Sequence, residues 1–119
     1  MATSDSLGAA SAPGSLSGSI LTVDLDAIAV NYRNLCEKVG GAACAGVVKA
    51  DAYGLGVEAV GQRLWREGCQ TFFVASLDEA IRLRGCLKDA EIVALNGLMS
   101  GEAGYYREYN LLPTLNDID

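Results

Sequence analysis

The residues best suited to chemistry lie in Gly46-Val47-Val48-Lys49-Ala50-Asp51-Ala52-Tyr53-Gly54-Leu55-Gly56. A short apolar run ends on Lys49, a primary amine that can condense with aldehydes once it is neutral. Four residues later Tyr53 offers a phenol, and Gly54 and Gly56 bracket Leu55 in a turn where backbone could approach a ligand closely. Each part has an ordinary explanation. A lysine after a strand lays its stem on apolar surface and its ammonium in water. A tyrosine is most often a packed aromatic, and Gly-x-Gly alone falls well short of a dinucleotide fingerprint. Together, a strand-end lysine followed by Tyr-Gly-x-Gly is a more specific pattern.

For Lys49 to act, the chain must carry it to the end of a strand, where barrels and open α/β sheets place their chemistry. Strand patterns fall at about Cys44 to Lys49, Thr71 to Ala75, Glu91 to Leu95 and Leu111 to Leu115, and Ile20 to Leu25 is also strand-like. Helical patterns separate them. Asp26 is a candidate cap for a helix with Ile28, Tyr32, Leu35 and Val39 on one face, stopped by Gly40-Gly41. Val57 to Glu67 places Val57, Val60 and Leu64 on one face, with Gly68 after it. Ser76-Leu77-Asp78-Glu79 reads as a capping box for a helix with Ala80, Leu83 and Leu87 inward. A further helix is expected from Ser100 or Gly101 to about Tyr109, its tyrosines on the helix faces.

This recurrence is the βα unit repeated. It fits either a small open α/β sheet or half of a (β/α)8 barrel, about four βα units. Asn116-Asp117 resembles the cap of a helix that does not follow, which favours the half-barrel. Residues 20–119 form this domain. Residues 1–19 are read as a disordered tail, since 13 of positions 2–19 are Ala, Ser or Gly and such a segment buries too little apolar surface to offset its ordering entropy.

Bulk properties exclude several classes. A net charge of −6 gives no basic stripe for nucleic acid and suits an anionic membrane poorly. No apolar run approaches the ~20 residues of a membrane span. The N-terminus has neither the basic start of a secretory signal nor the arginines of a transit peptide, so a cytoplasmic location is expected. Cys36, Cys44, Cys69 and Cys86 are scattered, and with no histidine in the chain no metal site is expected. They are read as buried free thiols. The lack of histidine also removes histidine-based acid–base chemistry.

Val47 to Gly56 resembles the pyridoxal-phosphate attachment motif of the alanine racemase family, which often has His where this chain has Leu55. The resemblance extends over residues 20–119. Leu21 to Ile28 is similar to the family's N-terminal strand and first helix, and Phe72 to Ala80 to its second barrel unit. Leu95-Asn96-Gly97 and Pro113-Thr114-Leu115-Asn116 are similar to the ends of its third and fourth strands.

The resemblance implies interconversion of L- and D-alanine with pyridoxal 5′-phosphate as cofactor, a supply of D-alanine for peptidoglycan. Lys49 is then the Schiff-base lysine and the base for one enantiomer. Tyr53 binds the cofactor phosphate, and Leu95 packs near its ring. The family's second base, a tyrosine given by the partner subunit of a homodimer, and its anion-binding arginines match no position here. The chain is therefore expected to be an N-terminal fragment that is inactive alone. Another amino-acid racemase, or a non-catalytic pyridoxal-phosphate-binding barrel protein, are the alternatives. A remnant that associates with full-length subunits through open sheet edges is a third.

Overall fold

In a computed structural model that describes residues 18–118, the elements run α1 (Leu25–Lys38), β1 (Gly46–Val47), α2 (Val57–Arg66), β2 (Thr71–Val74), α3 (Leu77–Cys86), β3 (Glu91–Ala94), α4 (Ala103–Glu108) and β4 (Leu112–Pro113). Residues 1–17, most of the expected N-terminal tail, lie outside the described residues. The four strands form one parallel sheet in sequential order. The α/β class and the four-strand recurrence expected from the sequence are what the structure has.

The sheet is covered on one face. Gly46, Phe72 and Ile92 make one buried row and Val48, Val74 and Ala94 the next, while Val47, Phe73, Val93 and Leu112 alternate with them and stay partly or largely exposed. A continuous apolar run would suit a strand buried on both faces. Here the period-2 alternation decides which side of each strand meets the helices. Val57, Val60 and Leu64 of α2 and Ala80 and Leu83 of α3, followed by Leu87, supply the helical side of the core, as their spacing predicts. Gly46 sits where packing is closest. A Cβ there would stand 3.2 Å from Leu64 Cδ1 and 3.3 Å from both Cys69 Sγ and Phe72 Cδ1.

Three local expectations are corrected. Residues 18–24 form no strand. The cap of α1 is Asp24, whose side chain accepts from Asp26 N and Ala27 N at 3.0 Å, so the helix starts two residues earlier than an Asp26 cap would set it. Its buried residues are Leu25, Ala29 and Tyr32, while Leu35 and Val39, toward its C-terminal end, are exposed. Lastly, the four cysteines are free, but only Cys69 is fully buried. Tyr32 fixes this corner by donating to the Cys44 carbonyl at 2.8 Å.

Candidate active site at the C-terminal edge of the sheet

The strand β1 is short because the chain leaves it abruptly. After Val48, the residues Ala50, Asp51, Ala52 and Tyr53 all have φ between 53° and 57°, and Gly54 follows at 85°. Ala50–Tyr53 is thus one turn of left-handed helix, closed by Ala52 N to Val48 O at 2.9 Å and Gly54 N to Ala50 O at 3.0 Å. Left-handed helical geometry costs L-residues roughly 1–2 kcal/mol each, and such outliers persist only where their surroundings over-determine them. Alanine is the least obstructed side chain available after glycine, and two of the four residues are alanines.

Those surroundings are polar and specific. Asp51 Oδ1 accepts from Val57 N at 2.9 Å, capping α2 from inside the turn where Gly56 offers no side chain. The same oxygen receives Arg82 Nη2 at 3.1 Å, and Arg82 also grips Glu58 at 2.8 and 2.9 Å. The Arg82 guanidinium holds the Glu58 carboxyl below its ordinary range, and Glu58 in turn raises Arg82. From the other side, Glu79 Oε1 accepts from Asp51 N at 3.2 Å while Glu79 Oε2 accepts from Ala75 N at 2.7 Å. The capping box expected at Ser76 is therefore only half formed. Ser76 Oγ accepts from Glu79 N at 3.4 Å, but the Glu79 carboxylate turns away to the lysine-bearing loop.

The turn delivers Lys49 half-buried at the end of β1 and leaves Tyr53 63% exposed at the far end of the same turn. Continuing the register brings Lys49 level with Ala75, two rows past the last β1–β2 pair, and Ala75 level with Leu95, one row past the last β2–β3 pair. Leu95 continues the β3 ladder, its N–H donating to Val74 O at 2.9 Å, and alternation puts it on the open face with Phe73 and Val93. Asn116 Nδ2 donates to its carbonyl at 3.0 Å. Lys49 and Leu95 thus follow the C-terminal ends of β1 and β3, and Tyr53 follows Lys49 at the far end of the turn.

Among the described residues, no hydrogen bond or ion pair engages the Lys49 amine or the Tyr53 phenol. By contrast, the Tyr32 and Tyr106 phenols donate to backbone carbonyls, Tyr106 to Gly97 O at 3.2 Å. A half-buried amine without a counter-ion and a nearby phenol without an acceptor suit an aldehyde that also carries a phosphate: the amine condenses with the one and the phenol donates to the other. The residues that sequence reasoning missed are the positioning groups, Asp51, Glu79 and Arg82. No sequence pattern announces four consecutive left-handed non-glycine residues.

No group of His, Cys, Asp and Glu among the described residues is placed to hold a metal ion, and no described helix is long and apolar enough to cross a membrane.

Comparison with known proteins gives a consistent picture. The family model "Alanine racemase, N-terminal domain" matches residues 23–119. The alanine racemase of Methylobacterium sp. (strain 4-46) is 53% identical over 98 residues, which cover 82% of this chain and 27% of that protein. A catabolic alanine racemase of Rhizobium johnstonii is 46% identical over 99 residues, covering 82% of this chain and 26% of the relative. The crystal structure of alanine racemase from Bartonella henselae with covalently bound pyridoxal phosphate superposes with a TM-score of 0.73 at 38% identity, covering 76% of this chain and 26% of that one. The alanine racemase of Streptomyces coelicolor A3(2) gives 0.75 at 30% identity, over 81% and 26%. The chain spans about a quarter of the length of the relatives it matches. Its four parallel strands and flanking helices fit the N-terminal half of an alanine-racemase-like barrel.

Proposed function

The chain belongs to the family of the alanine racemase N-terminal domain, and from that premise we propose that it is the pyridoxal-phosphate-binding portion of an enzyme interconverting L- and D-alanine. The observation that carries this reading is the Lys49 amine at the end of β1, one left-handed turn from the Tyr53 phenol, both without a hydrogen-bond or ion-pair partner among the described residues. The solved relative from Bartonella henselae holds its pyridoxal phosphate covalently, and a primary amine in this position can make such a bond.

When bound, pyridoxal phosphate supplies the electron sink that makes an amino acid's Cα–H acidic. The chain's own contribution is positional. Lys49 would hold the cofactor through its Nζ, and its free amine would be the base that takes or returns the α-proton on one face of the substrate. Tyr53 donates its phenolic hydrogen to a phosphate oxygen, and Leu95 provides an apolar wall on the open face of the sheet. Racemisation needs a second base on the opposite face, which in this reading comes from another subunit of a homodimer. Residues 20–119 form the partial barrel domain, residues 1–19 stand outside it, and the protein works in the cytoplasm on D-alanine supply for peptidoglycan.

The test incubates the chain with pyridoxal phosphate and alanine in deuterated water. Lys49-dependent deuterium should enter Cα of one enantiomer, with negligible racemisation. Binding without exchange would favour the non-catalytic carrier instead. Robust racemisation that vanishes in Lys49→Ala would refute the one-base account.

A further inference from the structure

We propose that Glu79 is a positioning residue that locks the left-handed turn and thereby sets where Lys49 and Tyr53 stand. Among the described residues, its carboxylate is the one side-chain group bridging the turn to the end of the neighbouring strand. One oxygen accepts from Asp51 N, two residues after Lys49, and the other from Ala75 N, at the end of β2 in the row of Lys49 itself. Both hydrogen bonds are charge-assisted. They take up backbone donors that have no other partner among the described residues, Asp51 N within the left-handed turn and Ala75 N just past the last residue of β2.

The geometry explains why a carboxylate of this length is required. A left-handed turn of four non-glycine residues is held against its own strain by contacts at both ends. Asp51 closes the far end by capping Val57 N, and Arg82 fixes Asp51 from solvent. Among the described residues, Glu79 is the side chain that holds the near end, beside Lys49, in addition to the backbone bond from Ala52 N to Val48 O. Gln at this position keeps one acceptor and presents an NH2 to the second N–H, so it breaks the bridge while preserving volume. Asp is one methylene too short to span both donors. If the near end opens, Ala50 to Tyr53 can fall back to right-handed φ, and the direction from Lys49 to Tyr53 changes.

The cofactor half of this inference rests on the function proposed above, so two readouts are paired. In Glu79→Gln, amide hydrogen exchange at Asp51, Ala52 and Ala75 should quicken roughly 10- to 100-fold while the α2 and α3 cores keep their protection. Backbone couplings at Ala50 to Tyr53 should lose their left-handed values. Phosphopyridoxyl labelling of Lys49 after borohydride reduction should fall by a similar factor. Glu79→Asp should not rescue it. Glu91→Gln, at the opposite end of the sheet where Glu91 meets Thr71 Oγ1 at 3.1 Å, should match the wild type in both readouts. Unchanged exchange and couplings in Glu79→Gln overturn the brace, whatever the cofactor does. Loosened exchange with undiminished labelling overturns its role in placing Lys49. Absence of label on the wild type overturns the cofactor reading alone, and exchange then still decides the brace.

Discussion

Replacing Tyr53 by Phe separates the fold from the cofactor site, because the structure gives this phenol nothing to do in the fold. Tyr53 is 63% exposed, and its hydroxyl has no hydrogen-bond partner among the described residues. Exposed substitutions of this kind change stability by no more than about 0.5 kcal/mol. If the hydroxyl donates to a phosphate dianion, its removal deletes one hydrogen bond to a charged group, about 1.5–3 kcal/mol, which is roughly a 10- to 150-fold loss of affinity. The assay is an absorbance titration with pyridoxal phosphate beside a parallel titration with pyridoxal, which lacks the phosphate. Tyr53→Phe should weaken the first and leave the second within about twofold, with unchanged urea unfolding. Equal losses for both ligands would mean that Tyr53 acts on the ring or on the turn. No loss for either would remove it from the site.

Two further outcomes test the framework that carries the site. Burial is the main cause that pushes the Tyr32 phenol far above the ordinary tyrosine range, with Cys36 and Cys69 beside it adding to the shift. A raised folded-state value means that its stabilisation is complete below about pH 10, the unfolded value, and is lost as pH climbs beyond it. Denaturant midpoints measured from pH 8 to 11 should therefore fall at the alkaline end. Tyr32→Phe should flatten that fall while costing about 1 kcal/mol at neutral pH for the lost bond to Cys44 O. Gly61 lies inside α2 with its Cβ direction aimed at Leu83, and an added methyl would stand 2.7 Å from Leu83 Cδ1. Gly61→Ala gains about 1 kcal/mol of helix propensity against roughly 1–3 kcal/mol of overpacking. A net loss of up to ~2 kcal/mol is expected in urea unfolding, and the loss should shrink when Leu83→Ala is already present.

The elements were legible where a single face decides burial. Val57, Val60 and Leu64 announce α2, and Ala80, Leu83 and Leu87 announce α3 with the segment just after it, because 3.6-residue spacing has one interpretation when glycines close the segment. Two aspartates stand near the start of α1, and either could cap it by type; Leu35 and Val39 share the spacing of Tyr32 but lie toward the end of the helix and are exposed. The strand at Ile20 to Leu25 failed for a related reason. Alternation is short-range, and these residues have no neighbouring strand to pair with.

Lys49, Tyr53 and Leu95 could be named because their types and spacing match a family motif. The brace around them could not. Glu79 obeys the capping-box pattern in sequence, yet its carboxylate answers to Asp51 N, 28 residues earlier. That choice depends on the left-handed backbone of Ala50 to Tyr53, which side-chain patterns do not encode.

The central claim is that Lys49 is the amine that holds the cofactor, and borohydride trapping measures it most directly. The folded chain is incubated with pyridoxal phosphate, reduced and digested, and the phosphopyridoxyl peptide is mapped by mass. The account predicts label on Lys49, little on Lys38 or Lys88, and none at position 49 in a folded Lys49→Ala variant. Label spread evenly over the lysines, or none on a chain shown to be folded, would contradict it.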